Sequence, residues 1–450
     1  MYFQSFLFIF LILPIIAFIY YVFKQNKIVI FIISILFYLM IDFKYFLLLF
    51  LVCGLTYLFG KTVKNNKKIY ILYMVCLVLL LLVFKSWDLI IKLIKLSSFS
   101  SIAIPVGLSY YVFKAISYIS DVYRGKYESS SLYRVSFYLT YFPTVLQGPI
   151  IRFDGFNKWL DSKVNKPSDA IANGFRRYII GLAKVSIFAP SLLTLSNVSF
   201  EESYILNPFL TWIGVIGFAS MLYFDFSGNS DMSIGISAML GYTVEENFNH
   251  PYESLTVSEF FNRWHITLGS FFKEYVYIPL GGNRKGIIRT IINIMIVWLL
   301  TGLWHSNNIL NNYNFIIWGL FLGIIISLEK IVYKKVSVNK YIKKLITIFN
   351  ILISWVIFNT NNIKDLLRYV KRMFIGDFMT MEYINFLNIY YYIAILVIGL
   401  FLCYKPVREK ISLIFAKHQI LYDTLLLGVL IISIIFIIIN GQYSPMYVNF

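Results

Sequence analysis

The sequence predicts an all-α integral membrane protein of about eleven transmembrane helices, with re-entrant or interfacial helices besides. Three observations carry that expectation. The 450 residues are 59% hydrophobic and only 14% charged, whereas soluble domains are about a quarter charged. The apolar residues are gathered into runs at 1–23, 45–59, 69–84, 315–328 and 421–439, at or near the roughly 20 residues that cross a bilayer. The basic residues fall in short stretches between runs. Lipid offers no partner to a backbone N–H or C=O, so each spanning run must be a helix.

The first run, 1–23, has no Lys or Arg before it and no small-residue cleavage site after it. It is expected to be a retained first helix, not a cleaved signal, with Pro14 tolerated as a kink. The chain carries 40 Lys+Arg against 22 Asp+Glu, a net charge of +18. In a soluble protein that balance would suggest nucleic acid. Here the cations sit at Lys24 and Lys27 and within 61–68, 284–289, 334–344 and 405–417. The positive-inside rule and anionic lipid headgroups account for that placement. Membrane lipids are therefore the expected partners, and nucleic acid is not. Cys53, Cys76 and Cys403 lie in apolar context without CxxC spacing or clustered His. They are expected to be small buried hydrophobes, with no metal or disulfide role.

Hydropathy marks no soluble domain, and the expectation is one membrane domain over 1–450. Residues 1–100 read as peripheral apolar helices, 105–312 as the core of the site and 313–450 as C-terminal helices. The longest internal polar stretch, 152–169, reads as a loop or surface helix containing Pro167. From Pro105 to about Asn312 the apolar runs are broken by Gly, Pro, Asn, Asp, Arg and His. Irregular backbone survives at membrane depth only where protein or a water-filled cavity satisfies it. This region is therefore where a buried polar site belongs.

Four histidines are present: His250, His265, His305 and His418. His305 ends the apolar stretch IINIMIVWLLTGLWHS. An ionisable group inside such a run is a functional candidate, but beside Trp304 it also fits an interfacial aromatic belt. His265 lies in EFFNRWHITLGSFFKEYVYIPLGGNRKG, which reads as an amphipathic segment ended by Pro279 and the Gly281–Gly282 pair. It fits a site or a headgroup-facing basic helix equally. The stretch LYFDFSGNSDMSIGISAMLGY puts Asp225, Ser227, Asn229, Ser230 and Asp231 within an apolar run. Carboxylates there must be paired or hydrated. Their glycines permit close helix packing or a broken helix. An ion site of a transporter and the polar wall of a substrate tunnel are both open readings. TYFPTVLQGPIIRF, at 140–153, reads as a kinked helix leading to a loop.

In order along the chain, FPTVLQGPIIRF, FDFSGNSDMSIGISAMLGY, NFNHPY, FFNRWHITLGSFFKEYVYIPLGGNRKG, VWLLTGLWH, NFIIWGL, 355–371 and the closing YSPMYVNF resemble the membrane-bound O-acyltransferase family. More narrowly, they resemble its bacterial polysaccharide O-acetyltransferase branch. The resemblance runs from about Pro105 to the end. The RWH…YIPLGGNR…GLWH combination carries most of its specificity. It implies that His305 is the catalytic histidine, that His265 is its partner, and that a helical shell surrounds a tunnel across the membrane. The implied chemistry is acyl transfer from a thioester to a hydroxyl. Four departures stand out: the longer SNNILNNYN at 306–314, Asn229 where an aromatic is common, Lys273–Glu274 in place of Arg-Asp, and His250 in place of Tyr.

Acyl transfer needs a hydroxyl made nucleophilic and an oxyanion stabilised. A neutral imidazole suits the first task, so His305 is assigned as general base. His265, with Asn262 or Arg263, is assigned to orient substrate or stabilise charge at the thioester oxygen. Trp264, Trp304, Asp225, Ser227, Asn229 and Asp231 complete the substrate-binding candidates. No bound cofactor or metal is expected, because the thioester substrate, acetyl-CoA or an acyl carrier, is already activated. The acceptor is expected to be an extracytoplasmic polysaccharide or cell-wall polymer. An extracellular esterase-like transferase or a cytoplasmic carrier protein is a candidate partner, and the plasma membrane is the expected location. D-alanyl transfer to teichoic acid is the alternative enzyme, and an ion-coupled transporter the alternative of another class.

Overall fold

The computed structural model describes residues 3–94, 102–201, 207–306, 308, 312–376, 386–441 and 443–446. Among these residues the regular structure is helical, and the strand-like pairing is one isolated antiparallel bridge, Phe248 to Trp264. The order is α1 (Leu13–Val22), α2 (Lys27–Ile41), α3 (Phe46–Thr62), α4 (Lys67–Lys85), α5 (Trp87–Leu93), α6 (Leu108–Tyr123), α7 (Leu132–Thr140), α8 (Phe153–Leu160), α9 (Pro167–Ala183) and α10 (Ala189–Glu201). Then come α11 (Pro208–Met239), α12 (Val257–Arg263), α13 (Ile266–Phe272), α14 (Gly286–His305), α15 (Asn314–Lys335), α16 (Lys340–Asn359), α17 (Ile363–Phe374), α18 (Phe386–Cys403), α19 (Lys405–Lys417) and α20 (Gln419–Asn440).

Seven of the described helices are long and apolar enough to cross a bilayer: Lys67–Lys85, Pro167–Phe200, Pro208–Met239, Gly286–His305, Asn314–Lys335, Lys340–Asn359 and Gln419–Asn440. The pair Tyr390–Cys403 and Lys405–Lys417, bent by 70°, makes an eighth if it is one span. Phe8–Val22, Lys27–Ile41 and Phe46–Thr62 are apolar but shorter. A helix of about 15 residues covers ~22 Å of a hydrocarbon core of ~30 Å. The expected eleven is therefore not established by helix length. Pro14 lies inside the continuous apolar helix Phe8–Val22, directly after the π-helical turn at Phe8–Ile12, the kind of local hydrogen-bond adjustment by which a membrane helix tolerates proline. The 152–169 stretch divides into α8, a short connection and the start of α9. Cys53 is buried as expected, but Cys76 is exposed on α4 and Cys403 is half-buried. A thiol on an apolar helix can face outward as readily as inward.

The chain forms two compact units with interleaved segments, so they cut across divisions drawn from hydropathy. One comprises Met1–Gly181, Asn229–Asn247 and Ser270–Tyr275; the other comprises Leu182–Gly228, Phe248–Gly269 and Val276–Phe450. The first is packed around aromatic rings. Trp159 stacks on Tyr242 at 5.3 Å, and Phe137 meets Phe156 edge-on at 5.1 Å. The backbones of α9 and α11 touch where Gly174 meets Gly235.

In the second unit, α14 and α15 pack backbone to backbone. A Cβ at Gly302 would run into the carbonyl oxygen of Phe315, and one at Gly319 into that of Trp298. Such small-residue seams let apolar helices approach closely. The N-terminus of α12 is fixed by α15: Glu329 accepts hydrogen bonds from Val257 N at 2.7 Å and Ser258 N at 3.2 Å. Thr256 Oγ1 caps the same turn by accepting from Glu259 N at 3.0 Å. A carboxylate at a helix N-terminus meets both the unpaired N–H groups and the positive end of the dipole.

Gly302→Val should therefore loosen the α14–α15 seam. We expect a loss of about 1–3 kcal/mol, the range for overpacking a close-packed interior, seen as a lower thermal unfolding midpoint of the detergent-solubilised protein. An unchanged midpoint would show that the seam is not tight.

Candidate active site

His305 is the last residue of α14; Ser306 turns the chain into extended backbone. The α14–α15 seam brings α15 alongside it, and α16 supplies a further wall. The His305 ring lies 4.5 Å from Trp304, 5.2 Å from Trp318 at 88°, 5.3 Å from Phe358 at 81° and 6.0 Å from Phe315. The imidazole thus sits in an aromatic box and is 3% exposed. That burial rules against the interfacial-belt reading of the His305–Trp304 pair.

His265 lies at the junction of α12 and α13. The preceding Trp264 is extended and bridges to Phe248, while Arg263 O accepts from Asn249 N at 2.9 Å. The chain then turns sharply through His265 itself, whose φ is +48°. Left-handed backbone at a non-glycine residue carries a cost, and such residues concentrate at functional sites. The ring is 5% exposed, edge-on to Phe226 at 4.5 Å and 6.5 Å from Trp304. A headgroup-facing orientation is therefore not what the fold adopts. The Trp304 indole touches both imidazoles, so one side chain joins the two histidines in a single aromatic pocket. His265 lies outside the candidate spans, and burial pushes its imidazole down to about 3. It is neutral at pH 7.

The neighbours assigned beside His265 divide. Trp264 is buried, 5.1 Å from Trp355 and stacked on Phe260 at 5.6 Å. Asn262 is exposed, and Arg263 is engaged by Glu259 one turn earlier at 2.6 Å. The helix ends at Arg263, Trp264 is extended and His265 is left-handed, so Asn262 and Arg263 do not share a face with the two residues that follow them. His250, half-buried at another left-handed turn, stands outside the pocket contacts described above.

The polar residues at 225–231 lie on one unbroken helix, α11, in which Gly235 serves close packing, while Gly241 turns the chain after its end. Within the second unit, Asp225 Oδ2 accepts from Met446 N at 2.9 Å, and Ser227 Oγ accepts from Lys184 Nζ at 3.2 Å. Within the first, Asn229 Oδ1 accepts from Gln147 Nε2 at 2.6 Å. Asp231 there pairs with Arg177 at 2.6 Å, and Arg177 also meets Glu246 at 2.6 Å. Sequence reasoning passed over Arg177 and Lys184, although with Arg176 they are the cations of the apolar stretch Pro167–Phe200. It also passed over Trp318 and Phe358 as walls of the histidine pocket. The signal for Trp318 was its place in NFIIWGL.

The glycine-rich YIPLGGNR segment is held to α14 by Asn293, whose Nδ2 donates to Gly282 O at 2.9 Å. Gly281 and Gly282 both have positive φ, which explains the glycine pair. Of the long 306–314 segment, residues 307 and 309–311 lie outside the described residues, as do 442 and 447–450 near the close of the chain.

The chain is similar in sequence to known proteins. The profile of the membrane-bound O-acyltransferase family, MBOAT, matches residues 15–370. The chain is 34% identical over 287 residues to the probable alginate O-acetylase AlgI of Pseudomonas putida, covering 62% of this chain and 58% of that protein. It is 31% identical over 303 residues to a peptidoglycan O-acetyltransferase of Helicobacter pylori, covering 60% and 56%. A teichoic acid D-alanyltransferase of Bacillus subtilis is 27% identical over 237 residues, covering 49% and 58%. The chain thus spans a little over half the length of each of these relatives.

The buried state of His265 has a pH signature. An unfolded histidine binds its proton near 6.5, while folded His265 does so only near 3. Between those values the unfolded state holds the extra proton, so stability falls on acidification below about pH 6.5, by up to ~1.4 kcal/mol per pH unit. His265→Asn keeps a residue that tolerates left-handed backbone and should shrink the drop in unfolding midpoint between pH 7 and 4.5. An equal drop in both proteins would show that His265 does not carry it.

Proposed function

The chain belongs to the membrane-bound O-acyltransferase family and is a multi-pass membrane protein, and we propose that it transfers an acyl group, acetyl above all, to a polymer outside the cytoplasm. The donor in this reading is a thioester, acetyl-CoA or an acyl carrier, presented at the cytoplasmic face. The acceptor is a hydroxyl of an extracytoplasmic polysaccharide or cell-wall polymer, and the location is the plasma membrane. The observation that supports it most is the shared aromatic pocket of His305 and His265, joined through Trp304.

The chemistry follows from that pocket. The acceptor hydroxyl is a weak nucleophile until a base takes its proton. An imidazole walled by Trp304, Trp318, Phe358 and Phe315 offers a nitrogen lone pair to that proton and is shielded from water that would hydrolyse the thioester. His305 is the base in this assignment. A positioned base is worth on the order of 10²–10⁴-fold. His265, neutral and fixed by its turn, has one N–H with which to orient substrate. Asn262 and Arg263 drop out of that role, one exposed and the other bound to Glu259. Asp225 and Asp231 hold α11 in place through Met446 N and Arg177, which is a structural role and not that of a coupling-ion site. The acetyl reading is preferred over D-alanyl because the two O-acetyl relatives are 34% and 31% identical and the D-alanyltransferase 27%.

His305→Ala is expected to abolish polymer acylation while membrane abundance stays near normal. The assay is acyl label transferred to polymer by purified protein in micelles, supplemented with washed envelopes for any extracellular partner. A mutant rate above about a tenth of normal would contradict the general-base role, given the ~10²-fold floor for such a group. Activity confined to sealed, energised vesicles would favour a transporter.

A further inference from the structure

Polar atoms without partners gather around the His305 pocket. Trp318 Nε1, Trp355 Nε1, Ser306 Oγ and Asn314 Oδ1 are buried and have no hydrogen-bond partner among the described residues. More than nine in ten buried polar groups in native proteins are paired, and each exception calls for an explanation. Trp318 is 2% exposed and Trp355 fully buried. An indole has one donor and no acceptor, so neither can be satisfied except by an oxygen or nitrogen brought to it.

The two differ in place. Both belong to the buried core of the unit, with Trp355 one layer back, 6.3 Å from Trp318 and 5.1 Å from Trp264. Trp318 stands at the reacting group, edge-to-face with the His305 ring at 5.2 Å. It is held there by Gly319, the next residue, at the α14–α15 seam. Packing alone would be served by phenylalanine, as it is at Phe315 and Phe358 on the neighbouring walls. Buried apolar surroundings also make an unpaired N–H costly and a paired one strong.

We propose that Trp318 is a catalytic residue whose indole N–H donates to the carbonyl oxygen of the acyl group in transfer. This rests on the acyl-transfer reading of the His305 pocket. The acceptor oxygen bonds to the carbonyl carbon as its proton passes to His305. The carbonyl π pair moves onto oxygen, and the resulting oxyanion lies against Trp318 Nε1–H. When that pair returns, the carbon–sulfur bond breaks. The sulfur leaves as thiolate and takes the proton back from His305. An ester and a free thiol are formed, and nothing is oxidised or reduced. The indole keeps its own proton throughout. A donor fixed before the reaction stabilises charge that develops only in the transition state.

The test deletes the N–H and little else. Polymer acylation is measured per molecule of folded protein for wild type, Trp318→Phe, His305→Ala, and a protein with Trp318 replaced by 3-benzothienylalanine, which puts sulfur where the N–H was. Trp318→Phe and the sulfur isostere are both expected to lose on the order of 10²-fold in maximal rate, as for loss of one oxyanion donor. The apparent KM for the donor should change by less than about threefold, because the bond tightens only in the transition state. If either variant, measured per molecule of folded protein, retains more than about a tenth of the rate, the N–H has no catalytic part and the inference is overturned. An inactive His305→Ala beside that result would leave the acyl-transfer reading standing. An active His305→Ala would overturn both.

Discussion

The backbone contact between α14 and α15 is the constraint on which the rest of the pocket depends. Gly302 and Gly319 have no side chain to hold the two helices apart, so carbonyl oxygens of one helix lie where a Cβ of the other would be. Three residues on from Gly302 is His305, and next to Gly319 is Trp318. A helix fixes the direction of every side chain once its axis is placed. Closing the seam therefore sets the imidazole against the indole without any hydrogen bond between them. Lipid tails are as apolar as leucine, so membrane helices gain little from the hydrophobic effect on meeting and must rely on close contact.

The same economy governs the polar groups. In hydrocarbon an unpaired charge is costly, and several buried charges of this chain are placed in reach of an opposite charge or a backbone N–H. Asp231, Arg177 and Glu246 form one such chain in the first unit. Glu329 spends its charge on two N–H groups at the start of α12. That cap orients the short helix that leads into Trp264 and His265, so the position of the second histidine is set from α15, as is the environment of the first.

Much of this was legible in the sequence. The apolar runs at 315–328 and 421–439 lie within α15 and α20, because spanning helices advertise themselves by length and composition. His305 stood out because an ionisable group in an apolar run demands a reason, whereas His265, in an amphipathic segment, stood out through the RWH motif of the resemblance. What was not legible depends on contacts distant in sequence. Arg177 and Asp231 are 54 positions apart, and no local pattern announces their pairing. Asn262 and Arg263 were grouped with His265 by adjacency, yet the left-handed turn at His265 separates their directions. The division into two units was hidden for a similar reason: each draws on three separate segments of the chain, and hydropathy reads only one segment at a time. Trp318 was visible as part of a motif, but its closeness to His305 arises from the glycine seam.

The aromatic enclosure of the pocket has an optical consequence. Trp264, Trp298, Trp304, Trp318 and Trp355 are linked by ring contacts to one another or through His265, His305 and neighbouring phenylalanines. They make up five of the eight tryptophans in the chain. Indoles a few ångströms apart share excitation, so ultraviolet light absorbed by any of them migrates among the group before it is emitted. The intrinsic fluorescence of this protein is thus weighted toward one small volume around the histidines. A molecule that entered that volume would change the brightness and colour of the whole emission, with no label attached.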